Sequence, residues 1–456
     1  MTLNATAFGA RGDGITLNTR ALQAAIDAAA LEGAELLLPP GTYLSGALFL
    51  KSGMTLRLAA GATLLGSRDL ADYPLLPTRV AGIEMRWPAA LVNIYGEHDV
   101  RLVGEGCIDG DGEVFWAAYW QLRAAYESRG LRWASDYDAQ RPRLVQVFEA
   151  ARVHIGDGLL LRRSGFWTLH VCYSQDVSIE HVTVRNNDEA RGPSTDGIDI
   201  DSSCRVRVRH ADIAVNDDAL VLKAGRDADG LRVARPSEDI DIQDCIVREG
   251  AAGITFGSET SGGFRRIRVR GLQVLGGVPV GVLFKSAPTR GGRIEDVHLS
   301  DITLTDVPTV LRITMNWNPA YSRATLPDAE AAQAPRHWQV LATPVPPHLG
   351  RTEVSGVHID KLRARGAETA FEVDAMAEAP LRDFRFNDLD IQARCGGHVH
   401  DVQCWRFTHT QLQLGTPIAL GPGCALAGLS SEHWFADPAL QRRDVSALSL
   451  AEQDVL

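Results

Sequence analysis

The chain has 456 residues, 45% of them hydrophobic and 23% charged, which excludes a disordered protein and supplies enough apolar side chain for a large core. A formal net charge of −11 argues against a general nucleic-acid binder, whose surface would be basic. An anionic polysaccharide would be accepted only where positive residues gather at a cleft, and the only lysines are Lys51, Lys223, Lys285 and Lys361.

Residues 1–50 read as an N-terminal cap region. The run 22–31 combines helical propensity with an apolar spacing suited to covering the open end of a repetitive sheet. The first residues show no basic segment followed by an apolar run, and no stretch is long and apolar enough to span a membrane. The expected location is therefore the cytoplasm or the periplasm, with neither nucleic acid nor membrane as partner. From residue 100 a rung of apolar-x-apolar form keeps returning, with starts at Val100, Val153, Val177, Val206, Ile240, Ile267, Val297, Val357 and Phe384. Between Val153 and Val297 successive starts lie 24, 29, 34, 27 and 30 residues apart. Alternation of period two marks strands with one face buried. Return at about 20–50 residues marks a solenoid or a propeller, and a propeller blade would need about 40–45. The expected fold is all-β, a single right-handed parallel β-helix over residues 1–456 with a short N-terminal capping helix.

Two stretches interrupt the rungs and read as loop insertions: 114–142, rich in Trp, Tyr and Arg, and 315–350, which opens with Trp317 and Tyr321. Long insertions on a rigid scaffold commonly shape access to a site, and equally they can do no more than cover the coils. Seven cysteines, an odd number without C-x-x-C spacing, read as buried thiols rather than a disulfide framework. No constellation reads as a metal site and no cofactor is implied.

The chemistry concentrates in three aspartates. Asp196, in Ser194-Thr195-Asp196-Gly197, precedes the pair Asp217-Asp218 by 21 and 22 residues, about one coil. That spacing places all three carboxylates on one face of neighbouring coils. Carboxyls so close cannot all ionise freely, and hydrolysis of a glycosidic bond needs one to give a proton while another activates water. Inversion at the sugar carbon needs carboxyls about 6.5–9.5 Å apart, a gap expected here from a diagonal offset between coils. Aspartates also cap turns, the bland alternative, but a pair with a third carboxylate one coil earlier favours catalysis. Asp199 and Asp201 alternate along the strand after Asp196 and stand as reserve candidates.

At these residues the chain resembles the polygalacturonase family, glycoside hydrolase family 28. The likeness begins with Phe8-Gly-Ala-Arg-Gly-Asp-Gly14 and Leu38-Pro-Pro-Gly-Thr-Tyr43, and continues through Gly106-Cys-Ile-Asp-Gly110 and Phe166-Trp-Thr-Leu-His170. It is most specific at Ser194-Thr-Asp-Gly-Ile-Asp199, Asn216-Asp-Asp218 and Val221-Leu-Lys-Ala-Gly-Arg-Asp227. The resemblance implies inverting hydrolysis, with Asp217 as the general acid and Asp196 and Asp218 holding and deprotonating the attacking water. Two family positions differ: Ala251 stands where a histidine is expected, and Leu283 where an arginine is expected before Lys285. In polygalacturonases those basic residues orient the acid and hold galacturonate carboxylates, so the resemblance implies kept catalytic carboxylates and a rewritten sugar-reading shell.

The candidates for substrate binding are Lys223, Lys285 and Arg290 for an acidic sugar, Glu259 for hydroxyls, Trp317 for stacking on a pyranose, and His170 beside Trp167. The leading expectation is an inverting glycoside hydrolase acting on a pectin-type or related oligosaccharide or polysaccharide, exo-acting if the insertions wall off one end, and not a strict polygalacturonase. The alternatives are a β-helix lyase or epimerase, which would rely on Ca²⁺ with an Arg or Lys base, and a glycan-binding protein without catalysis. The oligomeric state is not legible.

Overall fold

The computed structural model describes residues 1–187, 191–326, 331, 333–438 and 440. Among them, 37 strands join into one continuous parallel sheet wound as a right-handed β-helix. The rungs predicted from the sequence are in register. Val100, Val153, Val177, Val206, Ile240, Ile267, Val297, Val357 and Phe384 are successive Cα partners along one face, and all are buried. Each coil buries alternate apolar residues against the coils above and below, so one core runs along the axis.

The residue before each rung start takes the left-handed conformation. These are Asp99, Arg152, Asp176, Arg205, Asp239, Arg266, Asp296, Gly356 and Asp383. Acid and base alternate from coil to coil along the first seven, and the arginines bind the preceding aspartates at 2.6 Å in Arg152–Asp99, Arg205–Asp176 and Arg266–Asp239. Stacked left-handed residues are rarely other than Gly, Asn or Asp; here the arginines tolerate it within a ladder of opposite charges.

The capping helix spans Thr19–Glu32, burying Leu22, Ala25, Ile26 and Ala29, and ends at Gly33 in the left-handed conformation. Of the two insertions, both expected as loops, the first is largely helical and the second holds short helices joined by irregular chain. The first carries the helix Glu113–Glu127, a 3-10 turn Arg132–Ala134 and a short helix Ser135–Asp138. The second carries the short helices Pro319–Ser322, Arg336–Leu341 and Pro347–Gly350; residues 327–330 and 332 lie outside the described residues. A further wall went unread in the sequence, the antiparallel hairpin of Leu75–Val80 and Ile83–Pro88. Its tip packs with Trp133, Tyr137, Phe166, Trp167 and Trp338 into a second apolar cluster outside the solenoid. That cluster joins hairpin and both insertions to Phe166 and Trp167, just ahead of the strand Leu169–Cys172.

Among the described residues no disulfide links the seven cysteines, but only Cys172 and Cys245 are buried; Cys404 is exposed and the rest lie in between. Among the described residues no helix is long and apolar enough to cross a membrane.

Candidate active site

The strands Leu169–Cys172, Ile198–Asp201, Leu220–Lys223, Ile254–Phe256 and Val280–Lys285 stack in register to form the floor of a cleft. Ile198 faces Leu220, a coil of 22 residues, so Asp196 stands opposite Asp218, and the Gly197 amide donates to the Asp218 carbonyl at 2.9 Å. Gly197 is needed there: a Cβ would lie 2.4 Å from the Ala219 carbonyl oxygen of the next coil. Asp196, Asp217 and Asp218 thereby bring one carboxylate oxygen each within 4.8 Å of one another. These are nearest-oxygen contacts, made possible because two of the residues are consecutive and the third lies across one coil spacing. A water at about 2.8 Å from each of two such oxygens fits this spacing.

Each carboxylate has its own environment. Asp218 is 1% exposed and accepts from Lys285 Nζ at 2.7 Å and from Thr255 Oγ1 at 2.8 Å. Asp217 is partly exposed; burial and the adjacent Asp218 raise its pKa above the ordinary value, against the pull of Lys285 and Lys223. Asp196 is raised well above the usual range by burial, then by Asp199, with Lys223 opposing. Lys223 Nζ lies 3.2 Å from Asp196, 3.5 Å from Asp199 and 3.6 Å from Glu259, and 4.7 Å from the Trp167 ring centre. Lys285 Nζ sits 4.6 Å from the ring centre of Trp317. Glu259 accepts from the Tyr321 hydroxyl at 3.3 Å.

The structure thus brings Asp196, Asp217, Asp218, Lys223, Glu259, Lys285 and Trp317 into one cleft, together with Ala251. It does not bring Arg290 or His170 there. Arg290 is fully buried behind the wall, bound to Asp227 and to the Ser258 carbonyl, so it has no face for a sugar. His170 is fully buried beneath the cleft, 3.4 Å from Asp201, and burial lowers its pKa to about 4. The reserve candidates also part ways. Asp201 is tied to Arg79 of the hairpin at 2.8 Å. Burial alone would raise its pKa, but Arg79 and His170 outweigh this and hold it well below the usual carboxylate range. Asp199 lies 3.5 Å from Lys223 and beside Asp196, and burial raises its pKa to about 7 against the pull of Lys223. Leu283 is buried against Ala252 and Val280, apart from the carboxylates.

Several residues of the site and its lining carry no motif. Thr255 is an ordinary strand threonine in sequence, recognisable only once Asp218 is placed beside it. Ala81 arrives with the unpredicted hairpin, and Tyr119, Trp120, Arg123, Arg132 and Asp136 with the first insertion, whose Trp, Tyr and Arg content was the one available signal. Asp136 accepts from Ser194 Oγ at 3.0 Å and Arg141 Nη1 donates to the Pro193 carbonyl at 2.6 Å, so the insertion braces the loop that carries Asp196. The three carboxylates could geometrically surround a cation, but Lys223 and Lys285 already supply positive charge to two of them.

The profile of glycosyl hydrolases family 28 matches residues 40–328, and that of rhamnogalacturonase A/epimerase, pectate lyase-like proteins matches residues 2–62. The chain is 27% identical over 396 residues to the Vitis vinifera protein named "Probable polygalacturonase", covering 84% of this chain and 73% of that one. It is 29% identical over 330 residues to the exo-poly-alpha-D-galacturonosidase of Dickeya chrysanthemi, covering 64% of this chain and 53% of that one. Among solved structures, a hyperthermoactive exopolygalacturonase from Thermotoga maritima superposes with a TM-score of 0.73 at 25% identity, over 86% and 87% of the two chains. The family 28 exopolygalacturonase of Yersinia enterocolitica, at 21% identity and a TM-score of 0.72 over 96% of this chain and 77% of that one, shares the fold. Matched by the family profile over more than half its length, with an acidic triad on adjoining coils of the same β-helix, the chain belongs to glycosyl hydrolase family 28.

Proposed function

We propose that the protein is an inverting, exo-acting glycoside hydrolase of pectin-type oligosaccharides, in which Asp217 protonates the leaving oxygen while Asp196 and Asp218 hold and deprotonate the attacking water. The convergence of the three carboxyls at the floor of one cleft carries this reading. Asp217 has the attributes of the acid: it reaches solvent, and burial beside a second aspartate keeps its proton to higher pH. Asp218 has the attributes of a base, fixed by Lys285 and Thr255 as a hydrogen-bond acceptor. Asp196 faces it across one coil, at a spacing that admits a water between them. Hairpin and insertions add their own residues to the cleft wall, and a walled cleft suits attack on chain ends. Both cleft lysines are bound to carboxylates, which argues against either serving as a lyase base. For Lys285, burial would lower the pKa, but Asp218 and Asp217 outweigh it and raise it. The location that suits such a substrate is where short oligosaccharides arrive, the periplasm or the cytoplasm.

Proton NMR of the protein with a panel of pectic and neutral oligosaccharides tests the proposal. A new reducing end should appear first in the inverted anomer, and Asp217→Asn should slow its release by about 10²–10⁴-fold, the usual worth of a general acid. Retention of configuration, or an undiminished rate in the variant, would overturn the assignment.

A further inference from the structure

The solenoid's own cations are already committed. Lys223 is surrounded by Asp196, Asp199 and Glu259, Lys285 is bound to Asp218, and Leu283 offers no charge. The first insertion supplies another set at the mouth of the same cleft. Trp120 is 38% exposed, whereas Phe115, Trp116 and Tyr119 of the same helix are buried; Tyr119 and Trp120 both line the cleft, and Trp120 is the one with open ring surface. Arg123 lies 5.4 Å from its ring centre, and the Nε atoms of Arg123 and Arg132 approach one oxygen of Glu127 at 2.7 and 3.8 Å. Trp120, Arg123 and Arg132 therefore form one continuous patch.

Arg132 is the cation of that patch with capacity to spare. Its Nη1 donates to Asp136 at 2.8 Å, but Asp136 also takes Arg141 at 3.3 Å, so one carboxylate faces two guanidiniums. Among the described residues its Nη2 makes no hydrogen bond, while its side chain, 16% exposed, lines the cleft. The guanidinium lies 5.3 Å from the ring centre of Tyr321, whose hydroxyl reaches Glu259. Arg132 is thus linked across the wall to the lysine that holds Asp196.

We infer that the insertion builds a uronate-reading subsite, with Trp120 as the stacking face for a pyranose ring and Arg132 as the partner of its carboxylate, replacing charge that the solenoid lacks at Leu283. The inference rests on the proposed action on acidic oligosaccharides and names the residues that select them. A planar guanidinium matches a carboxylate in a way a neutral hydroxyl cannot, and an indole face suits the apolar face of a sugar.

The test measures binding by calorimetry in the Asp217→Asn protein, which holds substrate with little turnover, using trigalacturonate and the same trisaccharide with its carboxyls reduced to alcohols. Arg132→Met should weaken trigalacturonate about ten- to a hundredfold and leave the reduced sugar within about twofold. Arg132→Lys should recover part of the loss, and Trp120→Ala should weaken both sugars. Equal losses on the two sugars, no loss on either, or no preference for the acidic sugar in the parent would overturn the inference. If Arg132→Met does not fold, as a thermal melt would show, the same comparison between Arg132→Lys and Arg132→Gln decides it. Cleavage is followed separately in the wild-type protein. Selective binding without cleavage would sink the hydrolase reading and leave this one standing, and cleavage indifferent to Arg132 would do the reverse.

Discussion

Lys223 shows how one side chain organises the site. Its ammonium balances Asp196, Asp199 and Glu259, and this shared cation lets three buried acids coexist within a few ångströms. Asp199 is the costly member. Its folded-state pKa of about 7 exceeds its unfolded value, so between about pH 4 and pH 7 the folded chain holds a proton that the unfolded chain has released, and stability falls as pH rises. His170 acts with the opposite sign over about pH 4 to 6.5, because it stays neutral when buried and protonates on unfolding. Wild-type stability alone would mix the two. The difference between Asp199→Asn and wild type isolates the aspartate and should grow in the variant's favour from pH 4.5 to pH 7.5 in chemical denaturation; a difference constant with pH would show that Asp199 does not titrate in this window. Lys285 lowers the pKa of Asp217, so Lys285→Gln should carry the alkaline limb of the kcat/KM profile to higher pH along with a fall in its plateau. A limb that stays put or moves down would mean that Asp217 is not the acid.

Among the elements, the hairpin Leu75–Val80 and Ile83–Pro88 depends on a buried contact to the solenoid. Arg79 is fully buried, donates to Asp201 at 2.8 Å and to Ser202 Oγ at 2.6 Å, and receives Arg143 on its carbonyl. Removing one partner of such a pair leaves an uncompensated charge in the interior. Arg79→Met is expected to cost about 3–5 kcal/mol in a denaturant titration, whereas replacing an exposed ladder arginine such as Arg205 costs about 1 kcal/mol or less. Equal costs would mean that the hairpin is held by its apolar cluster alone. The hairpin tip also depends on Gly82, whose left-handed backbone approaches Arg226 so closely that a Cβ would lie 2.8 Å from its amide nitrogen.

For the whole molecule, the solenoid supplies an open groove and the additions decide how much of it a chain can occupy. Ala81 at the hairpin tip, Trp120 and Arg132 of the first insertion and Trp317 and Tyr321 of the second all line the same cleft. Replacing residues 79–84 with a short glycine linker should open one end and change the products. Wild type is expected to release single terminal units, and the opened variant to release longer oligomers early in the reaction, read by chromatography of the digest. Identical product ladders would place the blocking element elsewhere.

The solenoid was legible because its signal is local and repeated. Val100 through Phe384 alternate with period two, and a coil of 22 residues dictates that Asp196 meet Asp218 whatever surrounds them. The acidic triad and its two lysines follow from that arithmetic together with the family motifs. What folding in three dimensions settled is everything that lies outside the repeat. The hairpin has no period to announce it, Thr255 matters only through its contact with Asp218, and Arg290 and Arg132 are both arginines in segments that could face the cleft. Arg290 met Asp227 in the interior and Arg132 came to rest against Tyr321 at the mouth. Whether a charged side chain binds protein or ligand depends on which carboxylate packs beside it, and residues tens to hundreds of positions away in the chain decide that.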